Sequence, residues 1–415
     1  MAATRINVFR NPAYKANGPK SLVYTLRKYG MTPAKSIGRF YRDPKKTLYM
    51  KDADGSSTEV TAENQQNDAF FLSPVTIGTP GQQMLLDFDS GSSDLWIWST
   101  ELSSDTISQG EQNGNVAFDP KKSTTYQPME GSTWKITYGD QSGASGIVGL
   151  DDVKIGDITV EKQAIELATN ISAQFLQTAG SGLLGFGFGE INTVQPQPVK
   201  TPVENMIAQQ DISKDQSLFT CYLGSWKDAN DPDKGESFYT FGGIDQDAVK
   251  ASGQEIHYTK IDKSQGFWQY PSTSAFVNGK EISMPGNTAM ADTGTTLWMA
   301  SDELCEAIYG QIEGAKMDRK QGGYVFPKTI PTKDLPDVTV DIGGKQFTIE
   351  KEHLGFADVD ETGDMVFGGI QPRGDQLPFD IMGDTFLMCV YAIFDVGNEQ
   401  FGCVQRADPT PAGGE

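Results

Sequence analysis

Residues 84–98 of the chain read Met84-Leu85-Leu86-Asp87-Phe88-Asp89-Ser90-Gly91-Ser92-Ser93-Asp94-Leu95-Trp96-Ile97-Trp98. This stretch predicts a hydrophobic strand, an acid held on a Ser-Gly turn, and a second apolar strand. A single Asp-Ser-Gly predicts only a turn, because Asp and Ser cap their own backbone and Gly accepts positive φ. The pattern returns later as Ala289-Met290-Ala291-Asp292-Thr293-Gly294-Thr295-Thr296-Leu297-Trp298. We interpret the repetition as a duplicated unit rather than two unrelated turns.

Two shorter patterns are repeated in the same order. Two apolar residues precede a glycine at Leu183-Leu184-Gly185 and again at Ile381-Met382-Gly383. The sequence Phe-Gly-Gly-Ile occupies residues 241–244 and residues 367–370. The acid turn and the apolar-apolar-Gly pattern therefore alternate along the chain, which predicts two β-rich lobes. Residues 134–143 alternate apolar and polar side chains up to a Gly-rich tip, which indicates a β-hairpin.

The composition favours a β-rich globular protein. The chain has 415 residues, 45 of them glycine, which suits short strands joined by tight turns in two or three domains. No apolar run reaches the ~18 residues of a membrane span, and the start of the chain lacks the apolar core of a signal peptide. The cysteines are too few for a disulfide scaffold. We expect buried thiols, in strands or, for Cys305, on a helix: Cys221, Cys305, Cys389 and Cys403.

Charge separates an N-terminal arm from the body. The net charge is -21, yet residues 1–51 contain 12 Lys or Arg and a single acid, Asp43. Residues 6–9 predict a strand, and residues 21–30 predict a helix capped by Ser21 and stopped by glycine. A structured basic arm on an acidic body predicts an internal inhibitor rather than a nucleic-acid or membrane tail. Acid would release it, because ionised carboxylates that gain partners lose that stabilisation as pH falls.

We expect three segments: a basic propeptide with its activation linker at 1–66, a first lobe at 67–247 and a second lobe at 248–415. Residues 52–68 are polar and almost without apolar side chains, which predicts a linker open to cleavage. One helix is predicted at 201–209, with Pro202 at its first position. Another is predicted from Ser301 to about residue 311, with acids in its first turn.

Two equivalent acids at the junction of two lobes favour acid–base chemistry. If the duplication brings Asp89 and Asp292 together, their like charges cannot both ionise, and the pair shares a proton. One carboxylate then takes a proton from water while its protonated partner donates to a carbonyl oxygen, as peptide hydrolysis requires. Neighbouring hydroxyls are predicted to support the pair. Ser90 and Thr293 would form hydrogen bonds across the pseudo-twofold axis that relates the two acids. Ser92 and Thr295 would donate hydrogen bonds to the outer carboxylate oxygens.

With these motifs the sequence resembles a zymogen of the pepsin-like aspartic peptidases, of the fungal type. The likeness covers about residues 70–406, and the arm resembles that family's propeptide. It implies a mainly β, bilobal pepsin-like acid protease fold with the active-site cleft between two pseudo-twofold-related lobes. The motifs that carry it are Asp89-Ser90-Gly91-Ser92, Asp292-Thr293-Gly294-Thr295, Tyr138-Gly139-Asp140, the two apolar-apolar-Gly turns and Gly383-Asp384-Thr385-Phe386-Leu387.

The resemblance implies an aspartic-type endopeptidase with an acidic pH optimum, made as a zymogen and activated autocatalytically, without a metal or organic cofactor. Asp89 and Asp292 are the implied catalytic pair, Tyr138 is the flap tyrosine and Trp96 supports its ring. In fungal members, acids placed like Asp140, with a serine two positions later, are linked to acceptance of Lys at P1. The remaining implied substrate contacts are Ser142, Asp87, Gly91, Gly139, Gly294 and Thr296.

For the arm, the family implies a lysine between the two acids, commonly followed by tyrosine. Lys28-Tyr29 is the best match, with Lys45 and Lys46 as alternatives. Such a lysine supplies charge-assisted hydrogen bonds and excludes the catalytic water. The implied partners are polypeptide substrates, the protein's own propeptide as an intramolecular inhibitor, and pepstatin-type inhibitors. The family also implies a secreted or vacuolar monomer that binds neither nucleic acid nor membrane, and we expect no signal peptide in this chain.

The sequence departs from the family pattern at three places, and other hydrolase classes match its residues less well. Ser90 replaces the usual Thr, Gln141 stands where fungal flaps have Gly, and the disulfide common in the second lobe is not expected. A Ser or Cys hydrolase needs a base, and the two histidines, His257 and His353, are expected at the surface or in turns. No His/Cys/Asp cluster with metal-ligand spacing was identified. The alternative function is a catalytically silent pepsin-fold protein that binds peptides or a partner.

Overall fold

The computed structural model describes residues 3–10, 16–31, 39–42, 48–51, 57–60, 71–137, 143–172, 175, 180–225, 236–359, 363–375 and 377–407. Within these ranges the protein is built mainly from β-strands, with a few short helices. The predicted mainly β, bilobal fold is therefore confirmed. None of the helices in these ranges is both long and apolar enough to cross a membrane.

One six-stranded sheet joins all three predicted segments of the chain. The arm strand Thr4–Asn7 pairs antiparallel with Phe238–Phe241 and forms one edge. The other strands come from both lobes, so this part of the arm belongs to the folded body. The order across this bridging sheet is Thr4–Asn7, Phe238–Phe241, Leu218–Tyr222, Val390–Asp395, Gln400–Gln405 and His257–Lys260.

An eight-stranded sheet forms the first lobe. The strand Gln82–Asp89 ends on the first acid, and its neighbour Phe71–Ile77 also pairs with Phe9–Arg10 of the arm. The predicted hairpin is present as the antiparallel strands Gln127–Thr137 and Gly143–Ile155. The order is Phe9–Arg10, Phe71–Ile77, Gln82–Asp89, Gly182–Gly185, Leu95–Ile97, Ile158–Ile171, Gly143–Ile155 and Gln127–Thr137.

Three smaller sheets form the second lobe. The five-stranded sheet that carries the second acid has the order Gln269–Pro271, Thr288–Ala291, Asp380–Met382, Trp298–Ala300 and Ile370–Pro372. One four-stranded sheet consists of Lys280–Ser283, Ser274–Val277, Val338–Ile342 and Lys345–Ile349. The other consists of Lys316–Asp318, Gly323–Pro327, Met365–Gly368 and Gly355–Asp358.

The duplicated sequence pattern is visible in the strand pairing. Gly182–Gly185 lies parallel to the strand of the first acid and antiparallel to Leu95–Ile97. Asp380–Met382 lies parallel to Thr288–Ala291 and antiparallel to Trp298–Ala300 in the same way. Each acid turn is thus held by its own apolar-apolar-Gly strand, which explains why the two patterns recur in the same order.

The arm helix begins earlier than predicted. It spans Gly18–Lys28, and the side chain of Asn17, rather than Ser21, caps it by accepting a hydrogen bond from Lys20 N at 3.1 Å. Asn is a strong cap and Pro19 suits the first turn, so Asn17-Gly18-Pro19 is the true start signal. Ser21 lies buried inside the helix. Gly30, with φ of 70°, follows the helix end as predicted.

The segment expected to be an irregular linker contains regular backbone structure. Leu48–Lys51 pairs antiparallel with Arg39–Arg42 and with Ser57–Val60, giving a three-stranded sheet. The last of these strands lies within residues 52–68. The predicted strand at 6–9 is divided in two, because Val8 leaves the pairing and its N–H donates to Ser237 O.

Both predicted body helices are present. Pro202–Gln209 has a full capping box between Thr201 and Glu204. Asp302–Tyr309 is capped by Ser301 but ends two residues before the predicted boundary. Three short helices in the described residues were not predicted: Ser104–Glu111, Gln246–Ser252 and Asp384–Leu387. The structure also contains short 3-10 helices: Pro120–Lys122, Gly189–Ile191, Lys214–Gln216, Thr332–Asp334 and Lys351–Leu354.

The four cysteines are buried free thiols, as predicted. Cys221 and Cys403 lie in strands and Cys305 on a helix, but Cys389 lies between Asp384–Leu387 and the strand that follows. Burial raises the pKa of each thiol, so all four stay protonated. His353, expected at the surface or in a turn, lies in the single-turn 3-10 helix Lys351–Leu354 and is buried, with 3% of its surface exposed.

Candidate active site

The first acid turn surrounds its carboxylate with hydrogen-bond donors. Gly91 N–H donates to Asp89 Oδ1 at 2.8 Å, and Ser92 Oγ donates to Asp89 Oδ2 at 2.6 Å. The carboxylate is completely buried. Behind it, the ring of Phe88 packs edge-on against Phe186 at a centroid distance of 4.9 Å. The turn is therefore anchored in the aromatic core of the first lobe while its acid faces the second lobe.

The second acid turn repeats this arrangement. Gly294 N–H donates to Asp292 Oδ1 at 3.0 Å, and the Thr295 hydroxyl donates to Asp292 Oδ2. Asp292 is also completely buried. Donors of this kind favour the ionised form of a carboxyl, and in both turns they oppose the cost of burial.

The glycines of the two turns lie directly against the opposite acids. A Cβ atom at Gly91 would lie 2.5 Å from Asp292 Oδ1, and one at Gly294 would lie 2.4 Å from Asp89 Oδ1. No side chain fits at such distances, because a Cβ would overlap the carboxylate. Glycine is therefore required by close approach of the two turns, and the structure brings the predicted acids together.

Reciprocal hydrogen bonds lock the turns to each other. Ser90 N–H donates to Thr293 Oγ1 and Thr293 N–H donates to Ser90 Oγ, both at 3.0 Å. Each hydroxyl in turn donates across the interface, Ser90 Oγ to Ala291 O at 2.9 Å and Thr293 Oγ1 to Phe88 O at 2.6 Å. Serine at position 90 thus makes the same bonds as its threonine counterpart and loses only a methyl group.

The end of the arm helix inserts between the acids. Lys28 Nζ donates to Asp89 Oδ1 at 2.8 Å and to both carboxylate oxygens of Asp292 at 3.0 Å. Tyr29 OH donates to Asp292 Oδ2 at 2.5 Å. The Lys28 side chain is only 6% exposed. The apolar face of the helix, with Leu22 and Leu26, packs on the second lobe and directs these groups to the acids.

Burial and charge set different pKa values for the two acids. Burial raises the pKa of Asp89 to about 6, although the Lys28 charge opposes the rise. Burial also raises the pKa of Asp292, but the Lys28 charge and hydrogen bonds from Asp89, Thr295 and Tyr29 outweigh it and hold this pKa below the usual range. Burial lowers the pKa of Lys28, yet the two acids more than compensate and raise it well above its ordinary value. In the arm-docked protein, the first carboxyl therefore gains a proton before the second.

A cavity of about 450 Å³ is lined by Asp89 of the first acid turn and by Lys28 and Tyr29 of the arm. Its wall is largely apolar, and the Tyr29 ring packs edge-on against Phe267 at 5.8 Å. A space of this kind next to Asp89 suits a side chain of an extended polypeptide. Both lobes contribute to the lining, which includes Leu183, Ile191, Thr193, Phe267, Leu377 and Phe379.

The remaining predicted site residues fall into two groups. Asp87 is buried in the strand of the first acid, and Trp96 is buried against Trp134 with ring centroids 5.9 Å apart. Thr296 is buried, and its carbonyl accepts hydrogen bonds from the N–H and hydroxyl of Thr385 at 3.0 Å. The following predicted residues lie outside the described residues: Tyr138, Gly139, Asp140, Gln141, Ser142, Lys45 and Lys46.

A second carboxyl pair, which was not predicted, lies close to the first acid turn. Asn192 Nδ2 donates to Asp94 Oδ1 at 3.0 Å and to Glu166 Oε1 at 2.9 Å. Burial raises the pKa of both carboxyls, and contact with Asp94 raises that of Glu166 further. Asp94 also lines the cavity. An available signal was the acid within the apolar run Ala164-Ile165-Glu166-Leu167.

A mainly β fold of two lobes, with an Asp-containing turn from each lobe meeting between them, is characteristic of the pepsin-like aspartic peptidases. Residues 70–406 match the family described as eukaryotic aspartyl protease, and the chain belongs to that family. This confirms the predicted family and enzyme class, a hydrolase of the aspartic peptidase type that acts on polypeptides.

Named fungal relatives agree with this assignment. The chain is 37% identical to aspergillopepsin-1 of Aspergillus oryzae over 376 residues, covering 90% of this chain and 88% of the relative. It is 36% identical to endothiapepsin of Cryphonectria parasitica over 389 residues, covering 93% and 86%. It is 37% identical to aspartic protease pepA of Leptosphaeria maculans over 400 residues, covering 95% and 90%.

Proposed function

We propose that this protein is an acid endopeptidase made as a zymogen, with Asp89 and Asp292 as its catalytic pair and the basic arm blocking the cleft until acidification. The observation that carries the proposal is the position of Lys28 Nζ, 2.8 Å from one acid and 3.0 Å from the other. A cation held between two acids fills the space that a catalytic water must occupy. Family membership supports the reaction, and the arm's contacts support its inhibition.

In the arm-free enzyme, the two acids share one proton because two like charges facing each other cannot both ionise. The ionised acid takes a proton from water, and the water oxygen attacks the peptide carbonyl carbon. The protonated acid donates its proton to the carbonyl oxygen, which yields a neutral tetrahedral diol. Transfer of a proton from the diol to the amide nitrogen then breaks the C–N bond and releases a carboxylic acid and an amine.

The turns prepare the acids for these steps. The bonds from Gly91, Ser92, Gly294 and Thr295 occupy defined carboxylate oxygens, so the proton and the water have few alternative positions. The reciprocal bonds of Ser90 and Thr293 keep the acids at a fixed separation. Geometry set before substrate arrives lowers the reorganisation that the reaction needs.

We extend the proposal to substrate recognition by the flap. Tyr138 is assigned as the residue that closes over substrate, and Asp140 with Ser142 as the pair that accepts Lys at P1. Trp96 supports this assignment, because it lies behind the hairpin and its indole N–H makes no hydrogen bond within the described residues. Further substrate contacts are proposed for Asp87, Gly91, Gly139, Gly294 and Thr296.

The P1 assignment is testable with two peptides that differ at one position. Asp140→Ala should lower kcat/KM for a peptide with P1 Lys while leaving a matched P1 Leu peptide nearly unchanged. An equal loss on both peptides would point to a damaged flap and would remove Asp140 from the P1 assignment.

Acid activation is tested by shifting the purified chain from neutral pH to about 3.5, below the ordinary Asp pKa. Intact mass and a quenched peptide substrate follow the reaction, with Asp89→Asn in parallel. We expect loss of an N-terminal piece ending within about residues 52–67, followed by pepstatin-sensitive cleavage, and neither in the variant. A wild-type chain that stays whole in acid, and that cuts no peptide even after another protease has removed its arm, would indicate a silent peptide-binding protein.

The proposal includes the setting in which the enzyme works. Acid-triggered release of a basic arm fits a secreted protein or one delivered to an acidic vacuole. We propose that the mature enzyme acts as a monomer, because its cleft is assembled from the two lobes of one chain. Size-exclusion chromatography with light scattering before and after activation measures this directly, and a dimer that forms on activation would contradict it.

A further inference from the structure

A cluster of ionisable side chains away from the candidate active site lies in the second lobe, at the short 3-10 helix Lys351–Leu354. One ligand atom each from Glu350, Glu352 and His353 lies within 4.8 Å of the others. His353 Nε2 is 3.4 Å from Glu350 Oε2 and 3.6 Å from Glu352 Oε1. The spacing i, i+2, i+3 brings the three groups together because the chain turns tightly here, with His353 N–H donating to Glu350 O at 2.9 Å.

These separations fit atoms that share a metal ion better than atoms that share a proton. An N–H···O bond is about 2.7–3.2 Å long, so both contacts of the imidazole nitrogen are too long for good hydrogen bonds. In a tetrahedral zinc site with bonds of about 2.0–2.2 Å, neighbouring ligand atoms are roughly 3.3–3.6 Å apart. The two measured contacts of His353 Nε2 lie at or within that range.

Burial makes the imidazole nitrogen an unusual group to leave without a partner. The His353 side chain is 2% exposed, and its Nε2 makes no hydrogen bond with any residue in the described part of the chain. Buried polar atoms are normally satisfied, and each exception calls for an explanation such as an absent ion. The Glu352 side chain is 30% exposed, so a hydrated ion can reach the cluster from solvent.

The neighbouring Lys351 is paired outside the cluster. Lys351 Nζ pairs with Asp337 Oδ1 at 2.8 Å and donates to Lys333 O at 3.1 Å, which turns its charge toward another loop. Two carboxylates and one imidazole are the oxygen and nitrogen ligands that zinc accepts.

We propose that Glu350, Glu352 and His353 form a binding site for a divalent transition metal, best matched by Zn²⁺, with water as the fourth ligand. The site is separate from peptide hydrolysis and serves to fasten the second lobe. Leu354 O accepts a hydrogen bond from Gly369 N–H at 2.9 Å, and Gly369 O accepts one from Trp298 N–H at 3.0 Å. The cluster therefore lies two hydrogen bonds away from the strand that leaves the second acid turn, and a bound ion would stiffen this connection.

The test is calorimetric titration of the full-length chain with zinc chloride at neutral pH, after dialysis against a chelator. We expect one high-affinity site per chain and a higher Tm in the presence of zinc. His353→Gln should weaken binding at least roughly tenfold, since loss of even a supporting outer residue commonly costs 10–100-fold. The matched control is His257→Gln, which removes the other histidine and should leave the titration unchanged.

A second variant and a spectroscopic probe guard against misfolding. Glu350→Gln keeps the size of a side chain that is 11% exposed, and should weaken zinc binding while circular dichroism stays native. Co²⁺ in place of Zn²⁺ should give visible absorption bands of tetrahedral coordination in the wild type and not in either variant. The proposal is overturned if the wild type binds no zinc, or if folded His353→Gln and Glu350→Gln bind it as tightly as the His257→Gln control.

Discussion

Replacement of Lys28 by methionine tests the central contact of the arm. The substitution keeps the length of an almost buried side chain and removes its charge from between the two acids. Removing one partner of a buried ion pair costs about 3–5 kcal/mol. Because the two acids can retain one proton between them, we expect the lower end, about 3 kcal/mol. At 1.4 kcal/mol per tenfold, the arm-docked state becomes roughly 100-fold less favoured.

The assay measures initial cleavage of a quenched peptide by the full-length chain at about pH 6, before the arm is cut. Lys28→Met should raise the initial rate by up to roughly 100-fold relative to wild type. Lys20→Met, which removes a lysine from the first turn of the same helix, is the matched control and should behave like wild type. The double variant Lys28→Met/Asp89→Asn should be inactive, which separates opening of the cleft from contamination. Equal rates for Lys28→Met and Lys20→Met would refute the argument that Lys28 holds the arm in place.

The pKa shifts of the two acids at this contact predict how a fall in pH should release the arm. The Lys28 charge lowers the pKa of each acid, so protonation of either acid removes an attraction that holds the arm. For Asp89 this contribution is present at neutral pH and is lost as pH falls through about 6. For Asp292, whose pKa lies below the usual range, it is lost only in stronger acid. Release should therefore occur in two stages in wild type, and both stages should be absent from the pH dependence of Lys28→Met.

Two further substitutions test the interior of the site. Thr293→Val leaves Ser90 N–H and Phe88 O without their partner, at about 1–3 kcal/mol for each buried group, so Tm and kcat should fall. Thr293→Ser keeps the hydroxyl and should restore both, and a valine variant as stable as the serine variant would contradict the reasoning. Glu166→Gln should raise Tm relative to wild type more at neutral pH than near pH 4. A buried carboxyl with a raised pKa makes the folded protein less stable as pH rises and the carboxyl ionises, and glutamine does not ionise. Exposed Glu161→Gln on the same strand is the control, and a pH-independent difference for Glu166→Gln would contradict its raised pKa.

The parts of the fold that could be predicted from the sequence are those specified by local motifs, above all the motifs that occur twice. Both acid turns and both apolar-apolar-Gly strands could be recognised because each copy serves as a check on the other. The helix at Pro202–Gln209 was predictable because its capping signals are adjacent in sequence. The start of the arm helix was predicted wrongly because Ser21 has the right residue type, whereas Asn17 has both the right type and a following proline.

What the sequence did not predict depends on distant pairing. Nothing in Thr4–Asn7 specifies Phe238–Phe241 as its partner, since any exposed edge strand offers the same backbone groups. The contact of Asp94 with Glu166 through Asn192 joins three separate segments and has no local pattern. The cluster at Glu350, Glu352 and His353 is local, but two of its three members are glutamates, which are common at surfaces and do not by themselves indicate a metal site.

The arm adds to the difference between the two acids in this structure. Asp89 and Asp292 each receive one glycine N–H and one hydroxyl bond, in matching positions. Tyr29 OH bonds only to Asp292, and Lys28 Nζ contacts one oxygen of Asp89 but both oxygens of Asp292. These extra contacts favour charge on Asp292 and leave Asp89 as the acid that takes up the first proton. Under the proposed function, removal of the arm would therefore do more than open the cleft, because it would also remove the contacts of Lys28 and Tyr29 that distinguish the two acids.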